Sequence, residues 1–202
     1  SFASGAPSAD PFPSKEMAAL APRIYVEKGR TINAYGITEG DNDLREILRK
    51  RYIDQYHNGS RETDELQIFT GAQQIIDLCA KCTLNEGDVV LVEEHSYAGA
   101  MLAFRGYGAK LVGVKMDADG IMPAALEDAI RTIPNVKLIY LIPTFQNPMG
   151  TSIPFERRKQ IYELAVKYDK LIFEDSPYFE LRYSGEYIPS IKSLDRDGHV
   201  LF

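Results

Sequence analysis

From residue 64 onward, short apolar runs alternate with segments of helical periodicity, and this alternation constrains the fold more than any other feature. The apolar runs predict strands over residues 66–69, 89–92, 110–114, 137–142, 170–173 and 199–202. The intervening segments predict helices over residues 72–83, 97–107, 123–131 and 154–168. Short strands that alternate with helices are typical of βαβ units. The sequence therefore predicts an α/β fold, with a mostly parallel sheet and helices on both faces.

The part before residue 64 has a different pattern. Residues 1–15 are rich in Pro, Ser and Gly, which predicts an extended arm. A short helix is expected over residues 15–28, interrupted at Pro22 because proline lacks a backbone N–H. Apolar residues at helical spacing predict another helix over residues 43–57. At the other end, the last predicted strand runs to the final residue, so we expect an interrupted domain.

Composition excludes several classes of protein. The net charge is −6 at pH 7, whereas a nucleic-acid-binding surface is normally basic. No run approaches the roughly 20 apolar residues of a membrane span, and the N-terminus does not resemble a signal peptide. We therefore expect neither a nucleic-acid nor a membrane partner. The low cysteine content favours a reducing cytoplasm.

The two cysteines, Cys79 and Cys82, have the C-x-x-C spacing of redox sites. They lie well inside a predicted helix, however, and not at its N-terminus, where a redox pair belongs. Positions three apart share a helical face, so we interpret both as small core residues. The three histidines show no ligand spacing, and no metal site is expected.

Two predicted strands end in polar turns that can carry chemistry. Asp175 follows the apolar run 171–173, and Asn147 follows the run 139–142. Ligands bind at the carboxyl ends of strands in open α/β sheets. Asp175 is therefore either a cap or solvated loop charge, or a carboxylate that pairs with a cationic ligand atom. Asn147 can both donate and accept a hydrogen bond, and the two strand ends could face one pocket.

Three other features lie at the same predicted edge of the sheet. The Gly71–Gln73 turn begins a helix, where unpaired N–H groups suit a phosphate, although a plain connection would also explain the glycine. Tyr97 is either a core tyrosine or an aromatic that stacks on a planar ring. Tyr178 adds a phenol. A planar, phosphorylated, nitrogen-containing ring would use all of these groups together with Asn147 and Asp175.

This set of residues resembles the fold-type I aminotransferases of class I/II, which depend on pyridoxal 5'-phosphate (PLP). The similarity is strongest to the branch that contains 2-aminoadipate, kynurenine and aromatic or branched-chain aminotransferases. The stretches that carry the resemblance are SFASGAPSADPFP (1–13), YGITEGDNDLRE (35–46), TGAQQIIDL (70–78), EEHSYAGA (93–100), PTFQNPMG (143–150) and FEDSPYFELRY (173–183).

The resemblance implies a role for each candidate residue. Asp175 matches the aspartate that pairs with the pyridine nitrogen, where an anion keeps that nitrogen protonated. Asn147 and Tyr178 match the groups that hydrogen-bond the phenolic oxygen of the ring, and Asp175 and Tyr178 are the catalytic candidates. Tyr97 matches the stacking aromatic. The backbone N–H groups at Ala72 and at the residues on either side of it, Gly71 and Gln73, match the phosphate site.

The resemblance also assigns the N-terminal residues. Tyr35 matches a tyrosine that reaches the phosphate on the neighbouring subunit, which implies a homodimer. Ser4 and Gly5 match a segment that borders the substrate, as does Asn147. Residues 1–42 then form an N-terminal arm and a small-domain or dimer segment. Residues 43–202 form an incomplete PLP-binding large domain.

One expected part of the family pattern is missing from the chain. Family members carry a Schiff-base lysine in an S-x-S-K type segment, directly after the strand that here ends at Phe202. The downstream arginines for the cofactor phosphate and the substrate carboxylate also belong beyond this point. We therefore expect the N-terminal portion of an aminotransferase, inactive alone, and incompletely folded unless it assembles with another chain.

Other interpretations of the sequence remain open at this stage. Regulators that fuse an aminotransferase-like, ligand-sensing domain to a DNA-binding domain have similar sequences. A PLP-dependent lyase can use the same fold. A nucleotide-binding α/β domain is disfavoured because the sequence contains no G-x-G-x-x-G or P-loop motif.

Overall fold

The structure, a computed structural model, describes residues 11–56 and 61–202, apart from the side chains at positions 54 and 55. The chain divides into two compact units, Ser1–Asp41 and Asn42–Phe202. No helix in the described part of the chain is long and apolar enough to span a membrane.

The first unit is built around one helix, α1, which spans Ser14–Ile32. The predicted interruption at Pro22 is wrong, because the helix continues through the proline. A proline in a helix removes one backbone hydrogen bond. The alanine-rich turn that precedes it consists of strong helix formers, which offset that loss.

The second unit begins with a helix and then alternates as predicted. Helix α2 spans Asn42–Arg49 and continues as a π-helical turn, Lys50–Gln55. The later helices are α3 (Ala72–Thr83), α4 (Ala98–Gly106), α5 (Pro123–Thr132) and α6 (Phe155–Lys167). The strands are β1 (Val89–Glu93), β2 (Lys110–Val114), β3 (Met116–Asp117), β4 (Gly120–Ile121), β5 (Val136–Leu141), β6 (Leu171–Glu174) and β7 (Val200–Leu201).

Five of these strands form one parallel sheet in the order β2-β1-β5-β6-β7, and β3 and β4 form a small antiparallel hairpin. Leu91, Ile139 and Ile172 lie side by side in register. Because the sheet is parallel, the strands present their carboxyl ends at one edge.

Helices cover both faces of the sheet, which confirms the predicted fold class. Successive residues of a strand point to opposite faces. On one face, Leu91, Ile139 and Ile172 join a buried cluster with residues of α5 and α6. On the other face, Tyr140 and Phe173 join a second cluster with residues of α3 and α4. The apolar clusters on both faces hold the strands in place, so that the loops after the strands leave the sheet at its carboxyl edge.

The predicted strand at residues 66–69 is wrong, because this segment has no regular secondary structure and pairs with no strand among the described residues. A strand is stable only when a neighbour satisfies its backbone groups. Here a cavity of about 920 Å³ separates the segment from the edge strand β7, and Leu66, Phe69, Val200 and Leu201 line that cavity. The apolar residues of this segment therefore line the cavity and do not form part of the sheet.

The cysteine prediction is right for only one residue. Cys79 is buried against the sheet, and burial raises the pKa of its thiol to about 11. Cys82 is exposed, because positions three apart are rotated by about 60° around a helix and the second one falls at the edge of the buried face. No cluster of three metal-ligating side chains occurs among residues 11–56 and 61–202.

Candidate active site

Asp175 lies directly after β6 at the carboxyl edge of the sheet and is only 9% exposed. Its Oδ2 atom accepts a 2.6 Å hydrogen bond from the hydroxyl of Tyr140, on the neighbouring strand β5. Its Oδ1 atom accepts no hydrogen bond from the described residues. A buried carboxylate with one open oxygen is stabilised by a cationic group or an N–H donor.

The protonation of this pair follows from its burial. Burial raises the pKa of Asp175, and the hydrogen bond from Tyr140 opposes that rise. Burial, followed by the negative charge of Asp175, raises the pKa of Tyr140 far above its usual range. Tyr140 therefore keeps its proton and remains the donor. Without Tyr140, the pKa of Asp175 would rise further.

Asn147 and Tyr178 are brought together at the same edge, next to β5 and β6. The Nδ2 atom of Asn147 donates a 3.3 Å hydrogen bond to the hydroxyl of Tyr178. Asn147 belongs to the loop after β5, and Tyr178 belongs to the loop after β6. Because these strands are paired, two side chains that are 31 positions apart in sequence become neighbours.

The Gly71–Gln73 turn forms the N-terminus of α3. Gly71 has φ 81° and ψ 161°, a conformation that is essentially restricted to glycine. No side chain caps this helix among the described residues, so its first N–H groups are available to an anion. Ala72 lines the same cavity as Asp175, so the turn at the start of α3 and the buried carboxylate border one space.

Tyr97 stands immediately before α4 and is connected to the same turn. Its hydroxyl donates a 3.3 Å hydrogen bond to Oε1 of Gln73, and the Nε2 atom of Gln73 donates to the carbonyl of Gly99 at 3.0 Å. A Cβ atom at Gly99 would lie 2.5 Å from the tyrosine ring. Glycine is therefore needed at position 99 for the aromatic ring to lie beside the turn.

The remaining sequence-predicted residues belong to the first compact unit or lie outside the described residues. Tyr35 belongs to the first compact unit, in which its side chain is fully exposed. Ser4 and Gly5 lie outside the described residues.

Sequence reasoning missed several residues that position this edge. The predicted strand 137–142 contains Tyr140 among apolar residues. Its hydroxyl group is a signal for a polar partner, because a buried tyrosine hydroxyl usually forms a hydrogen bond. Glu93 and Gln146 are both buried, and each lies at or just beyond the carboxyl end of a strand. Burial raises the pKa of Glu93 to about 7, hydrogen bonds from Gln146 and the Ile142 N–H oppose the rise, and the charge of Asp175 adds to it.

Arg158 of α6 anchors the loop that carries Asn147. It is 1% exposed, and burial lowers the pKa of its guanidinium. Its side chain donates hydrogen bonds of 2.7–2.9 Å to oxygens of Pro143, Thr144, Ile153 and Pro189. Glu174 provides a similar anchor for the following loop, because it accepts the N–H groups of Ile191 and Lys192.

Comparisons with a family model, with curated proteins and with solved structures all identify aminotransferases. The family model described as aminotransferase class I and II matches residues 1–201. Aromatic-amino-acid aminotransferase 1 of Thermococcus litoralis is 34% identical over 206 aligned positions, which cover 100% of this chain and 49% of that protein.

Two solved structures support the same assignment. The kynurenine aminotransferase of Pyrococcus horikoshii, in complex with PMP, has a TM-score of 0.92 at 35% identity and covers 98% of this chain and 50% of its own. The alpha-aminoadipate aminotransferase of Thermus thermophilus, complexed with N-(5'-phosphopyridoxyl)-L-leucine, has a TM-score of 0.87 at 35% identity, with the same coverage of both chains. The chain thus spans about half the length of the relatives it matches, and it belongs to the aminotransferase class I and II family.

Proposed function

We propose that this chain forms the cofactor-binding part of a PLP-dependent aminotransferase, which transfers an amino group between an amino acid and a 2-oxo acid. The arrangement of Asp175 is the observation that carries the proposal. A buried carboxylate, held by Tyr140 and open at its other oxygen, suits the protonated nitrogen of a pyridine ring. Burial of this carboxylate is unfavourable, and a cationic partner at its open oxygen would offset that cost.

The other residues fit the rest of the same cofactor. When bound, PLP supplies a ring that withdraws electrons from the substrate. Asp175 would keep the ring nitrogen protonated, and Asn147 and Tyr178 would hydrogen-bond the phenolic oxygen of the ring. Tyr97 would contact the ring as the stacking aromatic. The backbone N–H groups of the turn formed by Gly71, Ala72 and Gln73 would hold the phosphate.

Further parts of the proposal rest on the family resemblance. Residues 1–42 form an N-terminal arm and a small-domain or dimer segment, and residues 43–202 form an incomplete PLP-binding large domain. Tyr35 reaches the cofactor phosphate of a second subunit in a homodimer, while Ser4, Gly5 and Asn147 border the substrate. The Schiff-base lysine lies beyond residue 202. The protein acts in amino acid metabolism, including biosynthesis, in the cytoplasm, whose reducing conditions suit its unpaired cysteines.

The relatives are named for aromatic, kynurenine and aminoadipate substrates, and we propose an amino acid of one of these classes here. The matched relatives are aminotransferases, and no feature of the described site favours a lyase or a sensing domain over that activity.

Cofactor binding and covalent labelling test the proposal. PLP is added to the 202-residue chain and to a longer form that includes the expected lysine, and each sample is reduced with borohydride and analysed by mass spectrometry. We expect the longer form to carry one label, on a lysine beyond residue 202, and to transaminate a member of the three substrate classes. The 202-residue chain should bind PLP only non-covalently. Stoichiometric labelling of one lysine within residues 1–202 would contradict this assignment.

A further inference from the structure

Glu93 and Gln146 occupy the space between two loops of the candidate site. Glu93 is the last residue of β1 and is fully buried, and Gln146 is 2% exposed in the loop after β5. Strands β1 and β5 are parallel neighbours, so these two loops leave the sheet side by side. One loop leads to Tyr97 and the other carries Asn147.

The side chains of the two residues join the loops through hydrogen bonds. The Nε2 atom of Gln146 donates both to Oε2 of Glu93 at 3.0 Å and to the carbonyl of His95. Oε2 of Glu93 also accepts the N–H of Ile142 at 3.1 Å. At its other end, Oε1 of Gln146 accepts the N–H of Met149 at 2.9 Å. We call the pair Glu93 and Gln146 the loop brace.

The loop brace is costly unless it serves the site. The Oε1 atom of Glu93 is buried without a hydrogen-bond partner among the described residues, and an unsatisfied buried polar atom destabilises the folded state. An apolar residue would end a buried strand without that cost. Two titratable groups, Asp175 and Tyr140, interact electrostatically with Glu93, so its carboxyl group belongs to the same buried region as the candidate cofactor partner.

We propose that Glu93 and Gln146 are positioning residues that fix the separation between Tyr97 and Asn147, and thereby the orientation of the ring that these two side chains would contact. The inference rests on the proposed function, because it concerns the same site. Gln146 directly precedes Asn147, and the His95 carbonyl lies two residues before Tyr97. Loss of the brace therefore removes the direct hydrogen-bonded link between the two loops that carry these side chains.

The chain offers variants that separate geometry from charge. Glu93→Gln keeps an oxygen that can accept from Gln146 and Ile142, and therefore keeps the brace. Glu93→Leu and Gln146→Leu remove it at similar side-chain volume. Glu94→Gln is the matched control, because Glu94 is the next residue along the chain and is exposed. All variants are made in the longer protein that includes the expected lysine.

The measurements are PLP affinity, circular dichroism in the cofactor absorption band, and kcat and KM for amino transfer, each normalised to the folded fraction. We expect Glu93→Gln and Glu94→Gln to match wild type in PLP affinity and in the sign of the cofactor band. Glu93→Leu and Gln146→Leu should weaken PLP affinity about tenfold, change the cofactor band, and lower kcat by roughly 10–100-fold with a smaller change in KM, as expected for a misplaced reacting group.

The outcomes distinguish the inference from the proposed function. If the two leucine variants lower only the melting temperature and leave the cofactor band and PLP affinity unchanged, the brace has a structural role alone and the inference is wrong. If wild type binds no PLP, the proposed function is wrong and the inference falls with it. Should the leucine variants fail to fold, Gln146→Asn gives the same readout, because its shorter amide cannot reach Glu93 and His95 together.

Discussion

The two sides of the candidate site are held by different means. On the ring side, Asp175 and Asn147 follow central strands, and buried polar groups on those strands and on α6 fix their loops. On the phosphate side, residues 70–73 are exposed and follow a segment, 64–69, that has no regular secondary structure and pairs with no strand in the described chain. Paired strands therefore support the ring side of the site, whereas no paired strand precedes the phosphate side among the described residues.

The phosphate side is anchored mainly at the ends of its unpaired segment. Burial alone would raise the pKa of Asp64, but hydrogen bonds from Lys192 and from Arg61 lower it to about 2. At the other end, Gln74 accepts the N–H of Thr70 at 2.6 Å. Between these points the segment borders the cavity, so no paired strand of the described chain supports the turn at residues 70–73.

The largest effect is expected when the charge on the ring side is removed. Asp175→Asn keeps the shape of the side chain but no longer stabilises a protonated ring nitrogen. We expect kcat for amino transfer in the longer protein to fall by roughly 10²–10³-fold, the range for loss of one preorganised electrostatic group. Steady-state kinetics measure the change in kcat. The control is Asp169→Asn, because Asp169 is exposed and lies just before the amino end of β6, opposite to the end that leads to Asp175. An equal loss in both variants would contradict the role of Asp175.

A second change tests whether the ring side depends on its buried anchors. Arg158→Met leaves buried oxygens at Pro143, Thr144 and Ile153 without their donor. We expect the free energy of unfolding to fall by about 3–5 kcal/mol, the usual effect of breaking a buried charged network. Arg157→Met is the control, because this neighbouring arginine pairs with the exposed Asp117. Urea unfolding measures both variants. A larger loss of unfolding free energy in Arg157→Met than in Arg158→Met would show that the ring side does not depend on its buried anchor.

The fold was largely predictable because hydrophobic periodicity is a local property. The prediction of a strand at residues 110–114 and of a helix at residues 72–83 agrees with the structure at both ends. The segment 66–69 was not predictable from its own residues, because pairing requires a neighbouring strand. Similarly, Asp175 and Asn147 stand out as polar residues after apolar runs, and that signal is local.

The supporting residues of the site could not be predicted in the same way. Glu93 and Gln146 are 53 positions apart, and Tyr140 and Asp175 are 35 positions apart. Their partnership exists only once the strand order of the sheet is known. The sequence therefore suggests candidate ligand contacts, whereas the residues that hold these candidates in place are identified only from the topology of the sheet.

A third prediction concerns pH and the buried acid on the ring side. The pKa of Glu93 is raised from 4.5 to about 7 by burial. Between these values the folded protein keeps a proton that the unfolded chain releases, so stability falls as pH rises. The difference in unfolding free energy between wild type and Glu93→Gln should therefore shift by about 3 kcal/mol against wild type from pH 4.5 to pH 8. Urea unfolding of both proteins at the two pH values measures this shift. If the difference in unfolding free energy is the same at both pH values, Glu93 does not titrate in this range.

The smallest effect is expected on the phosphate side, where backbone conformation replaces buried anchors. Gly71→Ala forces an L-residue into φ 81° and ψ 161°, although no atom lies within 4 Å of the added Cβ. The strain alone is of order 1–3 kcal/mol. Helix α3 begins at the next residue, so relaxation of the strained turn changes the direction of the first N–H groups of the helix. We therefore expect PLP affinity to fall about tenfold, equivalent to about 1.4 kcal/mol.

The matched control for this change is Gly106→Ala. Gly106 is the last residue of α4, and its added Cβ would also meet no atom within 4 Å. Its φ is not in the left-handed region, so alanine there should stabilise the helix slightly or leave it unchanged. Thermal melts and PLP titrations of both variants separate the two sites. If Gly71→Ala keeps wild-type affinity, the phosphate turn is flexible enough to absorb the strain, and the ring side alone determines how the cofactor is held.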